Sequence, residues 1–257
     1  MFFGDRRATD VQRISSGFLI ATVPTGADGT DVTVGTYVPR PIITAPTGGT
    51  TGLADTFTVR GTAVAGNTVA VTGSTNQATC TATAATDGTW SCALTDLSPG
   101  QQALSATQSD KAGATSKPSA IVLVYVGTPP ATARLKDTDP SIVYNSWDYL
   151  GSRGYGDHDD DVHYATTDGS SIRYTFIGTG IKVFGEKYTD QGNIGVSIDG
   201  GPATVVDTVP TDGARHTDVA VYTNIALAAG VHTIVVTKLS GTYATFDGFE
   251  IDNPASQ

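Results

Sequence analysis

The sequence predicts an all-β protein that consists of two β-sandwiches behind a short N-terminal β-hairpin segment. The 257 residues include 30 Gly and 12 Pro and are rich in Thr, Val and Ala, with few of the Leu, Glu and Lys runs that favour helices. Apolar and polar residues alternate in short segments, as expected for strands that bury one face. Turn-forming residues separate these segments at close intervals, which is typical of sandwiches.

The first element is the N-terminal segment, residues 1–38. It contains two β-type runs, 17–23 and 31–34, and the turn-forming pair Asp28-Gly29 lies between them. This pattern predicts a hairpin. A lone two-stranded hairpin is marginally stable in water, so we expect this segment to attach to a neighbouring domain or to another protein.

The second element, residues 39–127, is predicted to be an immunoglobulin-like sandwich. Six alternating segments within about ninety residues fit a sandwich of this size. They are 56–60, 68–72, 78–82, 89–94, 102–107 and 121–125. A stiff, Pro-containing linker, 127–133, follows them.

Three runs of this region, 85–94, 97–113 and 116–119, resemble the bacterial Ig-like domains that are repeated in surface adhesins and found on phage particles. The resemblance covers most of residues 41–126. It implies that the region acts as a spacer, in display and in weak adhesion, and not in catalysis.

Both cysteines lie in this region, on the segments that flank the Asp87-Gly88 turn, and we expect these segments to form one hairpin. A direct cross-strand Cys80–Cys92 pair then requires a longer loop or a bulge. A disulfide between them is favoured because the nearby sequence contains no zinc-ligand set. Two buried free thiols are the alternative, and the disulfide would require an oxidising compartment.

The third element, residues 134–254, carries about ten strand-like segments with Gly-rich connections, which predicts a two-sheet jelly roll. Trp147 and four later runs resemble, in order, the galactose-binding-like jelly-roll modules of glycoside hydrolases, surface proteins and phage receptor-binding proteins. The four runs are 174–185, 190–201, 227–236 and 240–251. The resemblance covers nearly the whole region and implies a carbohydrate-binding module.

No catalytic motif is found in the sequence. It lacks a Gly-x-Ser-x-Gly elbow, a His-Glu-x-x-His zinc motif and a P-loop lysine, and Gly178-Thr-Gly180 is predicted to be a hairpin corner. We therefore predict that the protein is not an enzyme and has no catalytic cofactor.

Alternate carboxylates at Asp157, Asp159 and Asp161 suggest a Ca²⁺ loop, but Val162 occupies the EF-hand glycine position and no Glu follows at the twelfth. The resemblance implies that such modules often hold a structural Ca²⁺ in loops. A structural Ca²⁺ near these residues and a solvated acidic loop both stay open, and no metal ligand is assigned.

Sugar binding requires an aromatic platform for the apolar face of a pyranose, flanked by polar groups that match its hydroxyls. Tyr155 and Tyr188 are the first candidates, because they lie among Gly, Asp and Lys and should be exposed; Trp147 suits the core equally well. The predicted carbohydrate-binding residues are Trp147, Tyr149, Arg153, Tyr155, His163, Tyr188, Asp190, Gln191 and Tyr243.

Charge and hydropathy exclude some classes of partner. The formal net charge of -10 disfavours binding to nucleic acid, and no apolar run approaches the ~20 residues that cross a bilayer. The start of the sequence, Met1–Arg7, does not resemble a secretory signal peptide.

Outward-facing modules without a recognised signal lead to the hypothesis of a virion-displayed adhesion protein, a decoration, collar or fibre component of a phage. Residues 1–38 would attach to other virion proteins, and the jelly roll would bind host-surface glycans during host attachment. The alternative is a carbohydrate-binding module of a secreted glycoside hydrolase or of a bacterial surface adhesin, with an extracellular or cell-surface location. Edge strands also allow a homo-oligomer.

Overall fold

A computed structural model describes residues 38–74 and 78–253. It also describes the backbone of five short strands nearer the N-terminus: β1 (Phe2–Phe3), β2 (Arg6–Arg7), β3 (Val11–Ser15), β4 (Phe18–Ala21) and β5 (Val32–Thr33). Among the described residues, the one helical element is a 3₁₀ turn at His158–Asp160. The all-β prediction is therefore confirmed.

The N-terminal strands include a hairpin, but its partners differ from those predicted. Strand β4 pairs with β3, whereas β5 pairs with β1. Strands β3 and β4 are separated by two residues, the shortest common hairpin connection, and this local partner is preferred to the more distant one. The predicted turn residues Asp28 and Gly29 lie outside the described part of the chain.

The Ig-like region is a sandwich of two antiparallel sheets. One sheet has the order β10-β7-β6 and the other β12-β11-β8-β9. The strands are β6 (Ile42–Ala45), β7 (Phe57–Thr62), β8 (Thr68–Thr72), β9 (Thr79–Thr83), β10 (Thr89–Leu94), β11 (Gly100–Ser109) and β12 (Val122–Val126). Alternate side chains such as Val59, Val69, Trp90 and Leu104 fill the space between the sheets.

The predicted hairpin around Asp87-Gly88 is wrong, because β9 pairs with β8 and β10 pairs with β7. The chain crosses from one sheet to the other through residues 84–88, where Ala84 is buried and its N–H donates to Asn67 O. Cys80 and Cys92 therefore lie in opposite sheets, and their Sγ atoms are 2.05 Å apart. The disulfide joins the two sheets of the sandwich.

The C-terminal region is a second sandwich, of jelly-roll type, with sheets of order β13-β24-β18-β21 and β14-β17-β22-β19-β20. A third, smaller sheet has the order β15-β16-β23. The strands are β13 (Thr132–Leu135), β14 (Val143–Asn145), β15 (Asp148–Gly151), β16 (Asp161–Ala165), β17 (Ser171–Gly178), β18 (Gly180–Lys187), β19 (Asn193–Ile198), β20 (Thr204–Asp207), β21 (His216–Asn224), β22 (Gly230–Lys238), β23 (Ala244–Phe246) and β24 (Gly248–Asp252).

The core of this sandwich consists of residues at every second position of its strands. Phe176, Phe246 and Phe249 are at most 1% exposed and pack with the β-branched residues Ile172 and Ile234. This alternation leaves the loops and the sheet edges to present polar side chains. No helix in the described part of the chain has the length and hydropathy to span a membrane.

The two sandwiches contact each other through Gln101 of β11. Its side-chain amide donates a hydrogen bond to Thr175 O at 3.1 Å and accepts one from Ile177 N at 3.0 Å. The side chain therefore pairs with β17 much as a neighbouring strand would.

Candidate functional site

A cavity of about 320 Å³ lies between the small sheet and the end of β18. Its lining combines aromatic, aliphatic and charged side chains: Leu150, Arg153, Tyr155, Val162, Tyr164, Glu186, Asp190, Gln191, Arg215, Tyr243 and Thr245. We call it the Glu186 pocket. Its size is at the lower end of the range for small-ligand sites.

Glu186 forms the floor of the pocket and is 1% exposed. The register of β18 against β21 is irregular between Gly185 and Lys187, and such bulges redirect side chains. Gly185 permits the close approach of β23, since a Cβ there would lie 2.4 Å from Thr245 O. The Glu186 N–H then donates to Thr245 Oγ1 at 3.1 Å.

Two guanidinium groups hold the Glu186 carboxylate. Arg153 Nη2 donates to Oε2 at 2.5 Å, and Arg215 Nη1 donates to Oε1. Arg153 also contacts Asp157 Oδ1 at 3.3 Å. Burial raises the pKa of Asp157, and the Arg153 charge offsets this only in part. A buried carboxylate requires such partners, because it would otherwise be desolvated without compensation.

Arg215 also links the two tyrosines that the sequence favoured as platforms. Its guanidinium carbon lies 3.9 Å from the ring centroid of Tyr188 and 4.4 Å from that of Tyr155. Tyr155 is 57% exposed, so much of its ring remains open to a ligand. Tyr188 is half-buried and reaches the pocket only through Arg215.

The loop that carries Asp190 and Gln191 forms one wall. Gln191 is buried, and its Nε2 donates to Asp190 Oδ1 at 3.2 Å and lies 3.5 Å from Glu186 Oε1. Asp190 O accepts hydrogen bonds from the N–H groups of Thr242 and Tyr243, both at 3.1 Å. These contacts place the exposed Tyr243 ring at the rim.

Two predicted residues, Tyr149 and His163, lie on the opposite face of the small sheet. They are direct partners in the β15–β16 ladder, whereas the adjacent pair Leu150 and Val162 faces the pocket. His163 Nδ1 contacts Asp137 Oδ2 at 2.8 Å, and its ring stacks on Tyr144 at 4.0 Å. Trp147 is 9% exposed and belongs to the core. The structure therefore does not bring these three predicted residues into the pocket.

Sequence reasoning missed six lining residues: Leu150, Val162, Tyr164, Glu186, Arg215 and Thr245. The sequence offers no clear signal for Glu186, because its segment Ile181–Lys187 also carries Lys182 and Lys187. No local signal marks Arg215, which the fold alone brings to Glu186.

The three carboxylates considered for Ca²⁺ contact three different partners. Asp157 contacts Arg153, Asp159 contacts Lys136, and Asp161 accepts a hydrogen bond from Tyr149. Within residues 38–74 and 78–253, no group of three or more His, Cys, Asp or Glu side chains is arranged to hold a metal ion. A structural Ca²⁺ near these residues therefore stays a prediction.

The pocket offers fixed donors, fixed acceptors and aromatic surface, and this combination suits recognition of a polyhydroxylated ligand. Both oxygens of its buried carboxylate are engaged by guanidinium groups.

Comparison with known proteins gives one family. Residues 45–124 match the family described as the bacterial Ig domain. This match confirms the resemblance of the second element. A comparison with curated protein sequences gave no match.

Several solved structures are similar to part of the chain. A family 35 carbohydrate binding module from Clostridium thermocellum is 10% identical, with 49% of this chain and 100% of that chain covered and a TM-score of 0.35. A two-domain esterase active on acetylated mannans is 15% identical, with 52% and 41% covered and a TM-score of 0.40. A family two carbohydrate esterase from Cellvibrio japonicus is 16% identical, with 48% and 34% covered and a TM-score of 0.37. The chain thus spans less than half of either esterase.

Proposed function

We propose that the protein is a non-catalytic carbohydrate-binding component of a secreted glycoside hydrolase or of a bacterial surface adhesin, and that it binds sugar in the Glu186 pocket. The observation that carries the proposal is the pocket itself. It places the open ring of Tyr155 and the rim residue Tyr243 beside polar groups that are fixed by the buried Glu186 network.

This arrangement matches the two faces of a sugar ring. The apolar face packs on an aromatic ring, and the hydroxyl groups pair with planar donors and acceptors around it. Asp190 offers acceptor atoms, and Arg215 offers guanidinium N–H groups. Because Glu186 and Gln191 hold these side chains before a ligand arrives, little ordering is required upon binding.

The Ig-like region supports an extracellular role as a spacer. Its two sheets are joined by the Cys80–Cys92 disulfide, and such bonds persist in oxidising environments outside the cytosol. Its contact with the jelly roll through Gln101 would present the pocket at a defined distance from whatever precedes it.

The virion hypothesis stays a prediction. Most of the segment that would dock on other virion proteins lies outside the described residues, and none of the matches reported above is a virion protein. The carbohydrate-binding proposal does not depend on it.

A glycan array with the full chain, in the presence and absence of a chelator, tests the proposal. We expect binding to at least one polysaccharide that persists with the chelator and is lost in Tyr243→Ala. Leu239→Ala, an exposed residue outside the pocket lining, is the control and should bind normally. Failure to bind any glycan, or equal binding by Tyr243→Ala, would contradict the proposal.

A further inference from the structure

The charges around the Glu186 pocket cancel. Among the described lining residues, two guanidinium groups, Arg153 and Arg215, face two carboxylates, Glu186 and Asp190. A third carboxylate, Asp157, contacts Arg153 from outside the lining. The pocket therefore presents no net positive charge to a ligand, although it contains two arginines.

Both guanidinium groups are also paired with buried carboxylates, Arg153 through both of its terminal nitrogens and Arg215 through one. Arg153 is 6% exposed and uses its two terminal nitrogens for Glu186 and Asp157. Arg215 is 26% exposed, donates to Glu186 and is stacked against the rings of Tyr155 and Tyr188. An anionic ligand could take the fork of Arg153 only by leaving Glu186 with Arg215 as its one guanidinium partner and the buried Asp157 without the cation that it contacts. Such an uncompensated buried charge is strongly unfavourable.

The Asp190 carboxylate also disfavours anionic ligands. Asp190 lies half-buried in the wall, where it can accept hydrogen bonds from hydroxyl groups but repels carboxylates and sulfates. The formal net charge of -10 on the whole chain adds a long-range repulsion of polyanions.

We infer that the pocket selects uncharged sugar units over uronates and sulfated sugars, and that Glu186 is the positioning residue that determines this selectivity. Glu186 neutralises two guanidinium groups that would otherwise form a ready site for a sugar carboxylate. The inference rests on the proposed function, since it concerns the ligand of the same pocket.

The test compares neutral and acidic oligosaccharides that share a β-1,4-linked backbone: mannan with mannuronan fragments, and cellulose with glucuronan fragments. Titrations use the full chain. We expect the neutral member of at least one pair to bind at least about tenfold more tightly than its acidic counterpart, a modest value for one unit of charge near a pocket. Binding of the neutral member should change little with salt.

Glu186→Gln provides the decisive variant, because it keeps the shape and removes the charge. We expect the ratio of neutral to acidic affinity to fall by about tenfold in this variant. The acidic member should bind more tightly than it binds to the wild type, and salt should weaken this gain. Glu250→Gln is the matched control, since Glu250 pairs with Lys182 outside the pocket lining and its loss changes the net charge equally. It should leave the preference unchanged.

The outcomes separate the inference from the proposed function. No binding to either member of any pair contradicts the function itself. Tighter binding of the acidic member by the wild type, or an unchanged preference in folded Glu186→Gln, overturns the inference alone. If circular dichroism shows that Glu186→Gln does not fold, the half-buried Asp190→Asn takes its place, and an unchanged preference in that variant overturns the inference.

Discussion

Cys80 and Cys92 join the two sheets of the Ig-like sandwich, with their Cα atoms 5.8 Å apart, although neither strand pairs with the other in a ladder. The backbone partners of these residues lie within their own sheets, at Val71 and Val59 respectively. The disulfide therefore links two strands, β9 and β10, that do not pair in a ladder. Its main effect should be on the stability of this sandwich.

Replacement of both cysteines, Cys80→Ser with Cys92→Ser, should lower the free energy of unfolding of the Ig-like sandwich by about 3 kcal/mol. The bond spans a sequence separation of 12 residues, and a crosslink of this length restricts the unfolded chain by about that amount. Urea unfolding followed by tryptophan fluorescence measures it, because the two tryptophans, Trp90 and Trp147, lie one in each core.

A Trp147→Phe background reports the Ig-like core alone, and a Trp90→Phe background reports the jelly roll. The jelly-roll transition should not move in the double cysteine variant. An equal shift of both transitions would refute the prediction. So would the absence of any shift, provided that mass spectrometry shows the disulfide to be formed in the wild type.

Tyr155→Ala should weaken glycan binding by at least about tenfold, or about 1.4 kcal/mol, because it removes the exposed aromatic surface and one of the two rings that position Arg215. Tyr149→Ala is the matched control. Tyr149 is similarly exposed, at 55%, but lies on the opposite face of the small sheet. Isothermal titration with the best array ligand measures both variants, and a similar loss in both would place the site elsewhere.

The contrast between Tyr149 and Tyr155 shows how far the sequence could lead. Alternation with a period of two is a local property, so it predicted the six segments of the Ig-like region that the structure shows as β7 to β12. Strand partners depend on the path of the whole chain, and for this reason Cys80 and Cys92 were assigned to one hairpin. Tyr149 and Leu150 are neighbours in sequence but face opposite sides of β15. Their residue types alone do not predict which of the two faces lines a pocket.

The stability of the protein should depend on pH through the buried carboxyl group of Asp247. Burial raises its pKa to about 7, and its Oδ2 accepts a hydrogen bond from His158 N at 3.0 Å. The folded state therefore holds a proton that the unfolded state releases near pH 4. Stability should fall as pH rises from about 4 to about 7 and then level off, since the folded state binds more protons in this range.

Asp247→Asn removes this proton exchange while an amide oxygen can still accept from His158 N. We expect the variant to match the wild type near pH 3.5 and to be more stable at pH 8, by the order of 2 kcal/mol. Thermal unfolding across this range measures the difference. Parallel curves for the two proteins would show that folding does not raise the pKa of Asp247.

His232 should act in the same direction as Asp247, at higher pH. Burial lowers its pKa, but hydrogen bonds to Asp199 Oδ2 and Ala228 O, both at 2.7 Å, outweigh burial and leave the pKa raised. The pair should stabilise the fold fully below pH 6.5 and lose this contribution as pH rises through the folded pKa of His232. Asp199→Asn should remove the dependence, and a histidine titration followed by NMR should show the pKa falling. An unchanged pKa in that variant would exclude Asp199 as its cause.

Gln101 should control the orientation of the two sandwiches. Its amide makes two hydrogen bonds to the backbone of β17, to Thr175 O and from Ile177 N, and an alanine side chain can make neither. Gln101→Ala should broaden the distance distribution between spin labels placed one in each sandwich, while the unfolding of each sandwich changes by no more than about 0.5 kcal/mol.

Gln101→Glu refines the same experiment. A carboxylate can still accept from Ile177 N but cannot donate to Thr175 O, and it brings a negative charge beside that carbonyl oxygen. We therefore expect a broadened distribution in this variant as well, which narrows when low pH protonates the introduced acid and restores a donor. A narrow distribution in both variants at neutral pH would mean that other contacts between the sandwiches fix their orientation.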